Sequence, residues 1–401
     1  MGLPLAGVRV TDMTQALAGP YGSRFLGDLG AEVIKIETPG IGDMTRKFAG
    51  PSVKGESGYF IAINRNKKSL TLNLRTEKGK EIFKKLVKKS DVVFENFRPG
   101  TTKKMGLDYE VLKEINPRII YCASSGFGSS GPYQDRPAFD YIIQALGGVM
   151  SVVGEPGGPP VHTGFPIADL CGGVFAAFGI LAGLYEREKT GEGQYIDVSM
   201  LDVIIAMWAF MGQFYLLSGD IPGPVGSGHV TNVPLGAYKA KDDYVIITCP
   251  QQKFYENLAA VLGREVKEFN SLPNDERFST PAKRLENRKE LEKIINEALS
   301  TKNRDEWLKI LEEGDVPAAP VNNVAQAFSN PQVLSRNMIV EMDHILGGKI
   351  KTTGNPFKMS RVEKEVFNSP PLLGQHNEEI LCGLLGYSKE DIEQFKKENV
   401  I

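Results

Sequence analysis

The run Pro166-Ile167-Ala168-Asp169-Leu170-Cys171-Gly172-Gly173 places one carboxylate just before two glycines and a small, apolar helical pattern. A carboxylate with an ordinary pKa of ~3.9 is ionised at neutral pH, so it can attack a carbonyl without a separate base. Glycines beside it would admit a ligand to bare backbone N–H groups near the positive end of a helix, where an oxyanion could be held. The plainer role for Asp169 is to cap a helix beginning near Cys171. His162, Asp169 and Cys171 are also the residue types of a thiol hydrolase. Such partners normally meet from distant segments, however, and Cys171 lies in a Gly/Ala-rich helical pattern suited to close packing.

A second candidate is Gly126-Phe127-Gly128-Ser129-Ser130-Gly131, a G-x-G-x-x-G after a strand pattern. A dinucleotide site needs a helix to open within that motif, whereas Pro132 and Pro137 follow and the next helical pattern starts near Phe139. A flexible glycine loop over a ligand, or plain turn chemistry, fits better. Arg75, Arg98 and Lys104 stand at the ends of strand patterns or in the loops beyond them. Asn96-Phe97-Arg98-Pro99-Gly100 adds an amide and an aromatic ring to a tight turn, a mixture suited to phosphates with a purine. Lys84, Lys85, Lys88 and Lys89 read as the solvated face of an amphipathic helix. His229, His344 and His376 have no metal-ligand spacing, and the four cysteines are scattered without a C-x-x-C, so neither a metal site nor a disulfide framework is expected.

The elements that must position these groups alternate. Val8–Asp12 reads as a strand, Gly19 to about Leu29 as a helix and Ala31–Glu37 as a strand. The pattern repeats through a strand at Ser69–Leu74, a helix at Glu77–Lys89 and a strand at Asp91–Glu95, then through a helix at Asp108–Ile115 and a strand at Arg118–Ala123. This predicts a parallel sheet covered by helices, with ligand-binding loops after Asp12, Glu37, Glu95 and Ala123. Val198–Leu217 reads as one long apolar helix, buried or at an interface, because Asp202, Gln213 and Gly212 interrupt it as a membrane span. A Gly/Pro-rich stretch at 219–224 marks a boundary, Tyr238–Cys249 a hairpin, Gln251 to about Leu311 a helical region and Val316–Val321 an extended connector. Strand-like segments and a short helix close the chain.

With 401 residues, 41% of them hydrophobic, a sizeable core in two lobes is expected. The formal net charge of -2 argues against general nucleic-acid binding. The start of the chain lacks a signal-peptide or myristoylation pattern. No membrane partner and a cytoplasmic location with reduced thiols are therefore expected.

Taken together, the motifs resemble the CaiB/BaiF family, the class III CoA-transferases. The resemblance runs through Ala18-Gly19-Pro20, Leu29 to Glu37, Gly42-Asp43, Asn66 to Ser69, Glu95 to Gly100, Asp140, Gln144, Asp169, Thr190 to Gln194 and Pro371 to His376. It implies an enzyme that moves CoA from an acyl-CoA to a free carboxylic acid, with coenzyme A entering as part of the substrate and no metal. Asp169 would be the nucleophile, passing through an anhydride and an aspartyl-CoA thioester, with Gln15 and Asp140 facing the thioester. CoA contacts would fall on Ala18, Leu72, Arg75, Asn96, Phe97, Arg98 and Lys104. The family's other branch, the 2-methylacyl-CoA racemases, carries a histidine where Phe139 stands, and a phenyl ring moves no proton. A non-catalytic CoA-binding subunit is the third reading. Leu17 replaces the glutamine of oxalate-using members, and a short Gly226-Ser227-Gly228 replaces their glycine-run loop, which points away from oxalate and formyl-CoA.

The implied fold is α/β. A Rossmann-like large domain spans residues 1–197 with 338–401, and a linker helix spans 198–224. A smaller inserted α+β domain covers 225–320, with a return linker over 321–337. Two chains would form an interlocked homodimer.

Overall fold

The computed structural model describes residues 2–401, which divide into two compact units: 2–149 with 162–220 and 331–401, and 150–161 with 221–330.

The first unit is built on a parallel sheet of six strands: β1 (Arg9–Asp12), β2 (Glu32–Glu37), β5 (Lys67–Thr71), β6 (Val92–Glu95), β7 (Ile120–Ser125) and β8 (Gln194–Ser199). A two-residue hairpin, β3 (Ser52–Val53) and β4 (Glu56–Ser57), lies apart from it. The sheet order is β5-β2-β1-β6-β7-β8, the doubly wound arrangement in which the chain leaves β1 for one edge and returns at β6 for the other. The loops after β1 and β6 therefore part at the switch point, where such sheets bind ligands.

Hydrophobic residues on alternating sides of the strands make two cores. Val10, Val33, Val92, Phe94 and Ile120 face Leu26 of α1 (Ala18–Asp28) and Ala176, Ala177, Ile180 and Leu184 of α7 (Ile167–Thr190). On the other face Ile34, Ile36, Leu70 and Val93 meet Ile82, Phe83, Leu86 and Val87 of α3 (Glu77–Val87), with Ile392 and Phe395 of the closing helix. Burial of one stripe per helix drives this layering. The N-cap of α3 is Thr76, whose hydroxyl accepts the Gly79 N–H.

Some boundaries differ from those expected. Strand β5 lies at Lys67–Thr71 rather than Ser69–Leu74, because Lys67 is buried with its charge paired. Strand β8 escaped the sequence reading, since QYIDVS puts a partly exposed first half on the sheet's edge. The segment 198–217 is not one helix. Its first two residues finish β8, and α8 (Met200–Met207) and α9 (Ala209–Ser218) meet at a 75° bend, with Trp208 at the corner donating to the Gly147 carbonyl at 2.8 Å. By length and composition α7 could cross a membrane, but its Gly/Ala face lies against the sheet and α1.

The contact between α1 and α7 is unusually close. A Cβ on Gly22 would sit 2.4 Å from the Gly173 carbonyl oxygen, and one on Gly173 would sit 2.2 Å from that of Ala18. The helices run side by side, since Leu26 shares a hydrophobic cluster with Ala177 and Leu181 further along. The start of α1, at Ala18 and Gly22, is thus brought against Gly173 in the second turn of α7.

The second unit is α+β. Strands β9 (Leu235–Lys239), β10 (Tyr244–Thr248) and β11 (Ala318–Pro320) form an antiparallel sheet, so the expected hairpin is present and the proline-bearing connector supplies its third strand. Helices over 252–313 enclose a core around Trp307, whose indole donates to the Leu299 carbonyl at 2.8 Å.

The helix crossing is testable by Gly173→Ala. The added methyl must displace backbone, at a cost of about 1–3 kcal/mol, against roughly 1 kcal/mol regained in helix propensity. Urea unfolding should show a lower midpoint; an unchanged or higher one would contradict the close approach.

Candidate active site

Helix α7 starts at Ile167, a turn earlier than expected, so Asp169 lies inside the first turn and does not cap it. Pro166 at the cap position has no side-chain acceptor. The cap comes instead from α6 (Asp140–Leu146), where buried Asp140 accepts the Ala168 N–H at 2.8 Å and the Asp169 N–H at 3.2 Å on one carboxylate oxygen. The Ile167 N–H reaches the Phe165 carbonyl and that of Leu170 reaches the Pro166 carbonyl. All four first-turn donors are therefore occupied. The expectation that the segment around Asp169 supplies both nucleophile and oxyanion donors fails on this count. Gly173 serves the contact with α1, and no first-turn N–H of α7 is left for a ligand.

Asp140 is itself held. Its second oxygen accepts from Gln144 Nε2 at 2.6 Å, and Gln144 Oε1 accepts the Thr163 N–H at 3.0 Å. With both oxygens engaged, Asp140 supports Asp169 through the backbone. The Asp169 carboxylate accepts no hydrogen bond among the described residues. Half-buried and close to Asp140, it is pushed up to about 7, by burial first and by that neighbouring charge second. Burial also raises Tyr59, as do Asp169, Asp43 and Asp140, which gathers a neutral phenol and three carboxylates in one neighbourhood.

On the β1 side, the loop after Asp12 is fixed almost atom by atom. The Met13 N–H donates to the Phe94 carbonyl at 2.8 Å, and the Thr14 N–H to Asp12 Oδ1 at 2.9 Å. Lys35 Nζ donates to the Thr14 carbonyl at 2.6 Å. Asn96, at the end of β6, holds both sides of Gln15: Oδ1 accepts the Gln15 N–H at 2.8 Å and Nδ2 donates to its carbonyl at 2.8 Å. Ala16 then turns through φ +64°, in the left-handed region. Beyond it Leu17, Ala18 and Gly19, all buried, have N–H groups with no acceptor among the described residues. Among the same residues the first turn of α6 likewise leaves the N–H groups of Asp140 and Tyr141 unspent.

Below this loop lies a charge cluster that sequence reasoning missed. Buried Asp12, Glu37 and Asp43 face buried Lys35, Arg46 and Lys67: Lys35 meets Asp43 at 2.8 Å, Lys67 meets Asp12 at 3.1 Å and Arg46 meets Glu37 at 2.7 Å. Burial opposes the charge on Asp12, but Lys67, Lys35 and two hydroxyls outweigh it and hold the carboxyl at about 2. Burial draws Lys67 down to about 8 despite Asp12. The charges balance three against three, the condition under which buried ions are tolerated.

The remaining expected residues share the carboxyl edge of the sheet but differ in setting. Leu72 is core, and Ala18 packs with Ala168, Ile143, Met200 and Ile204. Arg75, Arg98 and Lys104 are exposed and, among the described residues, free of ion pairs, leaving their charge for a ligand. Phe97 borders two cavities, of about 350 and 100 Å³. The glycine loop at 126–131 is tied down, with Ser129 N–H and Oγ donating to Asp197 at 2.8 and 2.6 Å, so the flexible cover expected there is a fixed turn. No thiol triad forms: His162 lies on the Tyr141 ring with Nε2 3.1 Å from its hydroxyl, and burial raises the Cys171 thiol.

The fold is a doubly wound sheet, and comparison with known proteins names the class. Residues 5–377 match CoA-transferase family III, and the chain belongs to that family, as an enzyme of the CoA-transferase class. It is 37% identical over 398 residues to the human succinyl-CoA:glutarate CoA-transferase, covering 99% of this chain and 90% of that one. It is 40% identical over 358 residues to an acetyl-CoA:oxalate CoA-transferase of Acetobacter aceti, covering 89% of each. A crystal structure of a CaiB/BaiF family protein from Brucella suis superposes with a TM-score of 0.85 at 37% identity, covering 96% of this chain and all of that one.

Because Asp169 is raised to about 7, the fold holds a proton that the unfolded chain releases from about pH 4 upward. The associated stability is present at low pH and is lost as pH rises to about 7. Asp169→Asn should therefore raise the unfolding midpoint more at pH 8 than at pH 5, and an equal change at both would contradict the raised carboxyl.

Proposed function

We propose that this enzyme transfers CoA from succinyl-CoA to a dicarboxylic acid through covalent intermediates on Asp169. The observation that carries this is the Asp169 carboxylate, oriented through its backbone yet unclaimed by any donor among the described residues. Ionised, it attacks the thioester carbonyl, and the tetrahedral oxyanion collapses to an anhydride as CoA thiolate leaves. The thiolate then attacks the aspartyl carbonyl, releasing succinate with one oxygen from Asp169 and leaving an aspartyl-CoA thioester. The acceptor carboxylate attacks that thioester to give a second anhydride, and CoA closes the cycle by taking the acceptor acyl group. A carboxylate is a weak nucleophile, so positioning has to supply effective molarities of ~10⁵ M or more. The unspent N–H groups of Leu17, Ala18 and Gly19 are donors suited to the oxyanion, as are those of Asp140 and Tyr141.

Arg75, Arg98 and Lys104 would meet the phosphates of CoA, and Phe97 its adenine. All lie in the unit made from both ends of the chain, which we take as the CoA-binding domain. The relatives' names support a dicarboxylate acceptor. Leu17, apolar where oxalate users carry a glutamine, favours a glutarate-like acid over oxalate. Phe139, exposed at the cap of α6, speaks against racemisation. An interlocked homodimer is supported by α9, none of whose residues is buried and whose Leu216 and Leu217 are 75% and 77% exposed. Light scattering should give twice the 44.0 kDa chain mass, and a monomer would contradict the dimer.

Intact mass after mixing with succinyl-CoA tests the chemistry. A CoA adduct is expected on the native chain and none on Asp169→Ala; no adduct together with α-proton exchange into deuterated water would point to the racemase. Since the ionised carboxyl attacks, adduct formation should speed up as pH rises through about 7. A rate that is flat from pH 5 to 9 would contradict this.

A further inference from the structure

We infer that the Asn96 side chain is a positioning residue for the reaction, holding the oxyanion donors at the start of α1, and is not itself a CoA ligand. This rests on the transferase reading above. The carboxamide has one acceptor and one donor end, and both are engaged with a single residue, Gln15, at 2.8 Å each. A primary amide bound to the N–H and the C=O of one residue fixes the two peptide groups that flank that residue, as a neighbouring strand would. Gln15 immediately precedes Ala16, whose φ of +64° lies in the left-handed region that an alanine disfavours. Such a conformation persists where its surroundings over-determine it.

The surroundings here do so. Every backbone N–H from Met13 to Ala16 has an acceptor, that of Ala16 being Asp43 Oδ1 at 3.4 Å. The next three, on Leu17, Ala18 and Gly19, have none among the described residues. The change from complete satisfaction to three unspent donors in buried residues occurs at the left-handed turn. Buried donors left unpaired are destabilising unless a ligand answers them. Without the clamp, Gln15 and Ala16 could relax and the donors would lose their aim. The clamp also crosses the switch point, tying the loop after β1 to the end of β6.

The test compares Asn96→Ala and Asn96→Asp with the native enzyme. Three quantities are read: the single-turnover rate of CoA-adduct formation at saturating succinyl-CoA, the dissociation constant for free CoA, and the thermal unfolding midpoint. Removing the clamp should slow adduct formation on the order of 10- to 100-fold, less than the roughly 10²- to 10³-fold that outright loss of an oxyanion donor costs, with the CoA dissociation constant changed less than about threefold. Asn96→Asp, which still accepts the Gln15 N–H but faces its carbonyl with a carboxylate, should fall between Asn96→Ala and native, and it keeps the comparison available if the alanine variant folds poorly. Weakened CoA binding with an unchanged rate at saturation would overturn the inference. So would a lowered unfolding midpoint with a native rate, which marks a merely structural role. A native chain that forms no adduct overturns the transferase reading and this inference together, whereas an Asn96→Ala adduct formed as fast as the native one overturns this inference alone.

Discussion

The site depends on one hydrogen-bonded arrangement: the Asp140 carboxylate closing the start of α7 in place of a cap that Pro166 does not supply. A helix start needs its N–H groups answered, and here the answer comes from a different helix. That fixes the backbone of Asp169 while leaving its carboxylate unclaimed. Burial first and the charge of this acceptor second raise the nearby carboxyl, so Asp140 both orients Asp169 and adds to what holds its proton into the neutral range. A nucleophile needs a fixed position without being tied up by partners, and capping through the backbone meets both requirements.

The second constraint lies under the β1 loop. Three carboxylates and three cations are buried among β1, β2, β5 and the turn at 43–46. Burying any of these charges alone would cost several kcal/mol. As a set they pin the Thr14 carbonyl through Lys35, and they anchor Asp43 beside Ala16. Rigidity at the loop thus comes from charge pairing below and from the amide of Asn96 alongside. The glycines of α1 and α7 add the third element, letting the start of α1 approach the second turn of α7 closely. Preorganised donors of this kind need no reorganisation when charge develops, which is where much of an enzyme's rate advantage arises.

Much of the layering was legible from the sequence. The alternation of strand and helix patterns through 8–123 predicts a parallel sheet, because apolar periods of two and 3.6 are imposed by geometry. Asp169 was recognisable as the candidate nucleophile, by residue type and then by family resemblance. What could not be read had physical causes. Lys35 and Lys67 look like surface residues, and only the tertiary pairing with Asp43 and Asp12 makes their burial possible. Strand β8 hid because an edge strand shows one polar face. Gly172 and Gly173 suggested an oxyanion site, since a glycine that admits a ligand and one that admits another helix look the same in sequence. The roles of Asp140 and Asn96 depend on partners 28 and 81 residues away, beyond any local pattern.

The central claim is that the Asp169 carboxyl becomes covalently part of the reaction, and oxygen labelling tests it most directly. Each cycle should leave on Asp169 one oxygen that arrived with the acceptor acid. After turnover of succinyl-CoA with a glutarate-type acid labelled with heavy oxygen in its carboxyl groups, the proteolytic peptide carrying Asp169 should contain the label. Product CoA ester formed at full rate with no label in that peptide would show that the acids exchange CoA without passing through Asp169.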